Sequence, residues 1–240
     1  MKPIYKPKGA AAEYGDYAVN IYTGCPHRCY YCFAPQVLHR DRKVFHSCVE
    51  PRNGIVEELR RQLEREKITD KLVHLCFTCD PYPTGYDTTS TREIIKLLKE
   101  HGNHVQILTK GDGGRDFDLL DDLDWYGVTI SCDRPMAEVM EPFAMPPARR
   151  MAGLESAKYH GVNTWASFEP VLDPKIVLEC IYQYAHIIDK VKIGKLNYHL
   201  SEIDWAKFGR EAEALCKSLG LDYYIKSGLR AEMNKECADE

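Results

Sequence analysis

Short apolar, β-branched runs recur along the chain and alternate with longer stretches of helical periodicity. The strand-like runs lie at 18–22 (AVNIY), 72–77 (LVHLCF), 104–109 (HVQILT), 127–131 (GVTIS), 162–168 (VNTWASF), 191–194 (VKIG) and 222–225 (DYYI). Between them, 54–66 repeats Ile55, Leu59 and Leu63 on one face with Glu and Arg elsewhere, which predicts a surface helix over a core. The stretch 91–101 carries Ile94, Ile95, Leu97 and Leu98, with Ser90 and Glu93 spaced as a capping box and Gly102 as a stop. Asp173-Pro174 starts another helix. The last long one carries Trp205, Phe208, Ala212, Leu215 and Leu219 between an Asp204 N-cap and Gly220.

Seven strands separated by helices predict an α/β fold with parallel strands, a partial (β/α)6-type TIM-like barrel. A doubly wound open sheet is the alternative, but neither Gly-x-Gly-x-x-Gly nor a Walker-type Gly-Lys-Ser/Thr is present to support it. Either way the chemistry belongs at the carboxyl ends of the strands. The 240 residues fit one domain at about 150 residues per domain. We divide them into an N-terminal extension (1–17), the barrel domain (18–230) and a polar C-terminal tail (231–240).

Composition is ordinary for a globular chain, with 44% apolar and 28% charged residues, and the net charge of −4 argues against a strongly basic nucleic-acid binder. No stretch approaches the ~18 apolar residues of a membrane span, and the start lacks an apolar signal region, so the expected location is cytoplasmic. Ten cysteines stand out, at 25, 29, 32, 48, 76, 79, 132, 180, 216 and 237. Disulfides rarely persist in the cytoplasm, so these are expected to be buried thiols, catalytic thiols or metal ligands.

Three of them fall within eight residues of the loop after the first strand, Thr23-Gly24-Cys25-Pro26-His27-Arg28-Cys29-Tyr30-Tyr31-Cys32-Phe33. Structural zinc takes four protein ligands, and His27 or Cys48 could supply the fourth. Three thiolates also suit a 4Fe-4S cluster, and then one iron is left open to a small molecule. With its strand, loop and C-x3-C-x2-C spacing, the segment resembles the cluster motif of the radical S-adenosylmethionine (SAM) superfamily. From Ala18 to about Asp173 the chain is similar to the spore photoproduct lyase-like branch, often labelled DNA repair photolyases. The blocks VNIYTGCPHRCYYC, CFTCDPY, ILTKGDGGRD and VTISCDRP, with the later MEPFAMPPARR, carry the resemblance.

The resemblance implies that Cys25, Cys29 and Cys32 ligate the cluster and that Tyr31 and Phe33 pack near the adenine. It implies that Lys110 and Ser131 engage the SAM carboxylate, and that Thr78 and Asp80 meet its amino group. An ammonium offsetting a carboxylate and a hydroxyl donating to it is sound chemistry. The implied activity is reductive cleavage of SAM to methionine and a 5'-deoxyadenosyl radical, followed by hydrogen abstraction from a substrate. An electron donor such as flavodoxin or ferredoxin is the expected partner. Nucleic acid as substrate enters only through the resemblance, against the charge; peptide or small-molecule substrates stay open, as does a non-catalytic zinc or iron-sulfur module.

The lyase pattern has a hydrogen-returning cysteine where this chain has Phe77. Cys79 and Cys132 are the candidate substitutes, whereas strand alternation is expected to turn Cys76 away from the face of Phe77. Glu169, Lys195, Asn197 and Lys226 end or follow later strands and are candidate substrate or cofactor contacts. His74 reads as a core histidine, and the glycine-rich loop 111–115 as a turn. His27, Arg28 and Arg40 surround the cysteine loop with positive charge.

Overall fold

The computed structural model describes residues 2–235, so Cys237 and half of the expected polar tail lie outside the described residues. One eight-stranded sheet runs in sequence order: β1 (Ile4–Tyr5), β2 (Tyr17–Val19), β3 (Leu72–Leu75), β4 (His104–Thr109), β5 (Trp125–Thr129), β6 (Asn163–Phe168), β7 (Lys190–Ile193) and β8 (Asp222–Ile225). β1 pairs antiparallel with β2, and β2 to β8 are parallel throughout. β1 and β8 do not pair, so the barrel stays open. The predicted seven parallel strands are all present, two with the predicted bounds and the others with ends shifted by up to three residues.

The helices are α1 (Ala34–Val37), α2 (Arg42–Ser47), α3 (Ile55–Glu66), α4 (Thr89–Glu100), α5 (Arg134–Met140), α6 (Pro147–Tyr159), α7 (Pro174–Tyr184), α8 (Trp205–Leu219) and α9 (Ser227–Lys235). In α3 the predicted Ile55, Leu59 and Leu63 face is buried. The Asp204 carboxylate accepts from Lys207 N at 2.8 Å, and Gly220 ends α8 with φ of 67°. Asp173 likewise caps α7. The Ser90 capping box does not form: α4 starts at Thr89, where Asp87 accepts from the Thr89 amide at 2.9 Å and takes over the role.

Two features of the pattern hid elements. α6 buries Arg150 beside Met151, Leu154 and Ala157, so its inward face reads as mixed. β1 is two residues long and depends on a distant partner, Gln62 of α3, which donates to the Ile4 carbonyl and accepts from its amide, both at 2.9 Å. Residues set apart as an extension therefore share the sheet, and Tyr14 enters the barrel. Among the described residues no helix is long and apolar enough to cross a membrane.

Candidate functional site

A cavity of about 300 Å³ opens at the carboxyl ends of the parallel strands. Its wall takes Cys25, Cys29 and Cys32 after β2, Cys76 to Asp80 after β3, Lys110 after β4, Thr129 from β5, Glu169 after β6, Lys195 and Asn197 after β7, and Lys226 after β8. Every parallel strand delivers chemistry to one face, as a barrel requires.

The cysteine loop depends on a close approach at Gly24. A Cβ there would collide with the carbonyl oxygens of Phe45 and Cys48, both backbone atoms that cannot move aside. Burial pushes all three thiols up, Cys29 to about 12, so they are protonated until a metal displaces their protons. A structural zinc would need a fourth protein ligand, whereas three thiolates suffice for a 4Fe-4S cluster. His27 is not a spare ligand: Nε2 accepts from the Thr84 amide at 3.2 Å and Nδ1 lies 3.5 Å from Asp80. Cys48 is exposed at the end of α2.

Asp80 organises the next wall. Its Oδ1 accepts from Tyr82 N at 2.8 Å and Thr109 Oγ1 at 2.5 Å, and Oδ2 accepts from Lys110 N at 2.8 Å. The turn and the expected ligand role thus fall on the same carboxylate, with Oδ1 engaged by the turn and by Thr109 and Oδ2 by the Lys110 amide. Its effect is to fix Lys110, whose Nζ lies 5.5 Å from the Tyr31 ring centre. Thr78 lines the cavity beside it, its amide held by Asn20 Oδ1 at 2.9 Å.

Tyr31 is anchored by a buried chain absent from the predicted site. Its hydroxyl donates to Glu141, which also accepts from Arg150, and Arg150 continues to the Thr129 carbonyl at 2.8 Å. Burial alone would raise the Glu141 carboxyl, but Lys110, Arg150 and the hydrogen bonds hold it below the usual range. Ser131 sits 3.1 Å from the Tyr31 hydroxyl and is 1% exposed, behind the cavity wall. Phe33 lines the mouth and is 42% exposed. Glu141 and Arg150 lie inside the quoted MEPFAMPPARR block; a buried acid and base nine residues apart were the available signal.

At the opposite end, Glu169 Oε2 accepts from Lys226 Nζ at 2.6 Å and from the Tyr14 hydroxyl at 2.7 Å, and Oε1 lies 3.3 Å from Asn197 Nδ2. A Cβ at Gly194 would come within 2.7 Å of the Glu169 carboxyl, so glycine there makes room for it. His74, expected in the core, is buried, stacks on Phe77 at 4.3 Å and meets Gln106 at 2.9 Å; burial lowers its pKa to about 3. The glycine loop is packed, with Arg115 turned onto Asp116.

The two thiol candidates separate. Cys79 lines the cavity with Cys76 and Phe77, because β3 ends at Leu75 and the expected alternation stops there. Burial works against ionising Cys79, but hydrogen bonds from the Cys76 thiol and the Tyr22 amide (3.3 Å) lower its pKa. Cys132 is 1% exposed and outside the cavity lining, and burial pushes its thiol to about 12.

With this geometry in place, the family model described as the radical SAM superfamily matches residues 19–187. The chain belongs to the radical SAM superfamily. It is a radical SAM enzyme, and the cofactors are those of its family, a 4Fe-4S cluster and S-adenosylmethionine. An uncharacterized protein of Acidianus two-tailed virus is 27% identical over 213 residues, covering 78% of this chain and 69% of that one. Spore photoproduct lyase complexed with dinucleoside spore photoproduct superposes with a TM-score of 0.70 at 11% identity, covering 92% of this chain and 79% of that one. Streptococcus suis SuiB bound to S-adenosylmethionine gives 0.67 at 13% identity, covering 88% and 50%. The open sheet is therefore the partial TIM-like barrel of radical SAM enzymes.

Proposed function

We propose that this radical SAM enzyme holds its cluster through Cys25, Cys29 and Cys32 and directs hydrogen abstraction at a substrate bound in the same cavity. The observation that carries this reading is the convergence of the three thiols with Tyr31, Phe33, Thr78 and Lys110 on one wall. When bound, the cluster and SAM supply one-electron reductive cleavage to methionine and a 5'-deoxyadenosyl radical. The protein binds, orients and excludes water. Lys110, placed by Asp80, offers an ammonium to the SAM carboxylate. Tyr31, braced by Glu141, and Phe33 provide the aromatic surface for the adenine.

Asp80 and Ser131 act through their neighbours, on Lys110 and Tyr31 respectively, while Thr78 faces the cofactor's amino group. Cys79 is the hydrogen-returning candidate because it lines the cavity, and the buried Cys132 is set below it. Glu169 and Lys226 face the substrate end. A donor such as flavodoxin or ferredoxin supplies the electron.

The fold leaves the substrate class to the far end of the cavity. Spore photoproduct lyase is solved with a dinucleoside and SuiB with a precursor peptide. A nucleotide or nucleic-acid group and a peptide are therefore the two classes to try first.

Anaerobic reconstitution with iron and sulfide, reduction with dithionite and assay for 5'-deoxyadenosine test the activity. Production of 5'-deoxyadenosine supports the reading. A reconstituted protein with no cleavage product, or with zinc held tightly by four protein ligands, overturns it. DNA binding across a salt series separates the substrate classes, since phosphate contacts give a steep slope.

A further inference from the structure

The residues that follow the cysteine loop fold back and grip it. Asp41 caps α2 by accepting from Val44 N at 2.9 Å, which sets the direction in which the neighbouring side chains leave the helix. Arg42 then reaches the loop with both ends of its fork. Nη1 donates to the Cys32 carbonyl at 3.1 Å; Nη2 donates to the Tyr30 carbonyl at 2.8 Å and to the Cys29 carbonyl. His46 Nδ1 is 2.8 Å from the Cys25 carbonyl, and because a carbonyl only accepts, this nitrogen carries the proton. Arg40 donates to the Thr23 carbonyl. The carbonyl of each of the three cysteines is thus capped by a side chain from residues 40–46.

The loop needs such a grip. Among the described residues it forms no helix or strand, and Arg28 within it is a non-glycine residue at φ of 53°, a conformation that persists only when its surroundings hold it. Arg42 also carries charge. Among the described residues it forms no ion pair with a carboxylate, so its cation is offset only by the carbonyl oxygens it holds. A planar guanidinium can serve three carbonyls at once, whereas an ammonium offers the same charge without that fork.

We propose that Arg42, with His46 at the first cysteine, is the positioning residue of the cluster loop. It fixes the spacing of the three thiols through their backbone and raises the readiness of the site to take an electron. The proposal rests on the reading that Cys25, Cys29 and Cys32 hold a 4Fe-4S cluster. It separates two contributions of one side chain, geometry through the fork and potential through the charge.

The test uses the full chain, reconstituted anaerobically, as wild type, Arg42→Lys and Arg42→Met. Three readouts are taken: iron and sulfide content, the rate of iron loss to bathophenanthroline, and the midpoint potential from an electron paramagnetic resonance titration. Wild type is expected to hold about four iron atoms. Arg42→Met should lose iron about tenfold faster and show a more negative midpoint. Arg42→Lys should keep the wild-type midpoint while losing iron faster. Wild-type behaviour of Arg42→Met on both readouts overturns the proposal while leaving the cysteine reading intact. If Arg42→Met fails to fold by circular dichroism, Arg42→Lys decides: faster iron loss at an unchanged midpoint supports the clamp, and an unchanged rate overturns it. A wild-type protein that takes up no cluster overturns the cysteine reading and the clamp together.

Discussion

At the cysteine end of the cavity, side chains hold backbone: Arg40, Arg42 and His46 take loop carbonyls, and Asp80 takes the amides of Tyr82 and Lys110. At the far end side chains hold one another, with Glu169 gathering Lys226, Tyr14 and Asn197. The first arrangement keeps an irregular loop in register and leaves the thiols available. The second neutralises charges on separate strands, which leaves its surface open to change without disturbing the loop. A shared chemistry at one end and a variable substrate at the other is what this division permits.

The sharpest break comes from Cys29→Ala. Iron content after reconstitution should fall to background and 5'-deoxyadenosine formation should be lost, whereas a variant with full cluster content refutes the ligand assignment. Next in size are the two buried ion pairs. Arg150→Met strands Glu141 and should destabilise by about 3–5 kcal/mol in urea unfolding. Lys226→Met should cost less, about 3 kcal/mol, since Tyr14 and Asn197 still meet Glu169. The reverse order would place the greater mechanical burden at the far end.

The Glu141 carboxyl adds a pH signature to the first pair. Its folded pKa lies below the ordinary carboxyl value of 4.5, so its contribution is complete above that pH and is lost as the pH falls through the folded pKa. The difference between wild type and Arg150→Met should therefore shrink in acid. Gly24→Ala is a smaller effect, about 1–3 kcal/mol by thermal or urea unfolding, with lower iron retention because the collision falls on the cysteine loop itself.

An effect confined to high pH belongs to Lys192, which donates to the Glu13 carbonyl at 2.9 Å and the Tyr14 carbonyl at 3.3 Å beneath the far end. Burial, with help from Lys190 and Lys226, lowers its pKa from 10.5 to about 8. Between those values the unfolded chain binds the extra proton, so this residue makes stability rise with pH from about 8 to 10.5. In Lys192→Met that increment should be missing from the difference curve.

Local signals carried much of this molecule. The seven parallel strands, the α3 face, the Asp173 and Asp204 caps and the Gly220 stop are properties of short windows, and so is the C-x3-C-x2-C spacing. The C-terminal strand ends could be read as site positions because a parallel sheet presents them together, and Lys110, Glu169, Asn197 and Lys226 do line the cavity. The windows failed where a partner is remote: β1 needs Gln62, α6 buries an arginine for Glu141, and Cys76 turns to the cavity because β3 ends early. The split between Cys79 and Cys132 was equally out of reach, since both follow strands and only burial distinguishes them.

The sequence by itself determined the alternation of strand and helix, the three thiols and the family blocks that mark the superfamily, because these depend on residue type and spacing within a few positions. Tertiary structure alone decided which carboxylates are spent on holding neighbours, that Tyr14 fills the barrel, and that α2 turns back onto the cysteine carbonyls. Those outcomes are sums of interactions between residues far apart in the chain, and no local spacing encodes them.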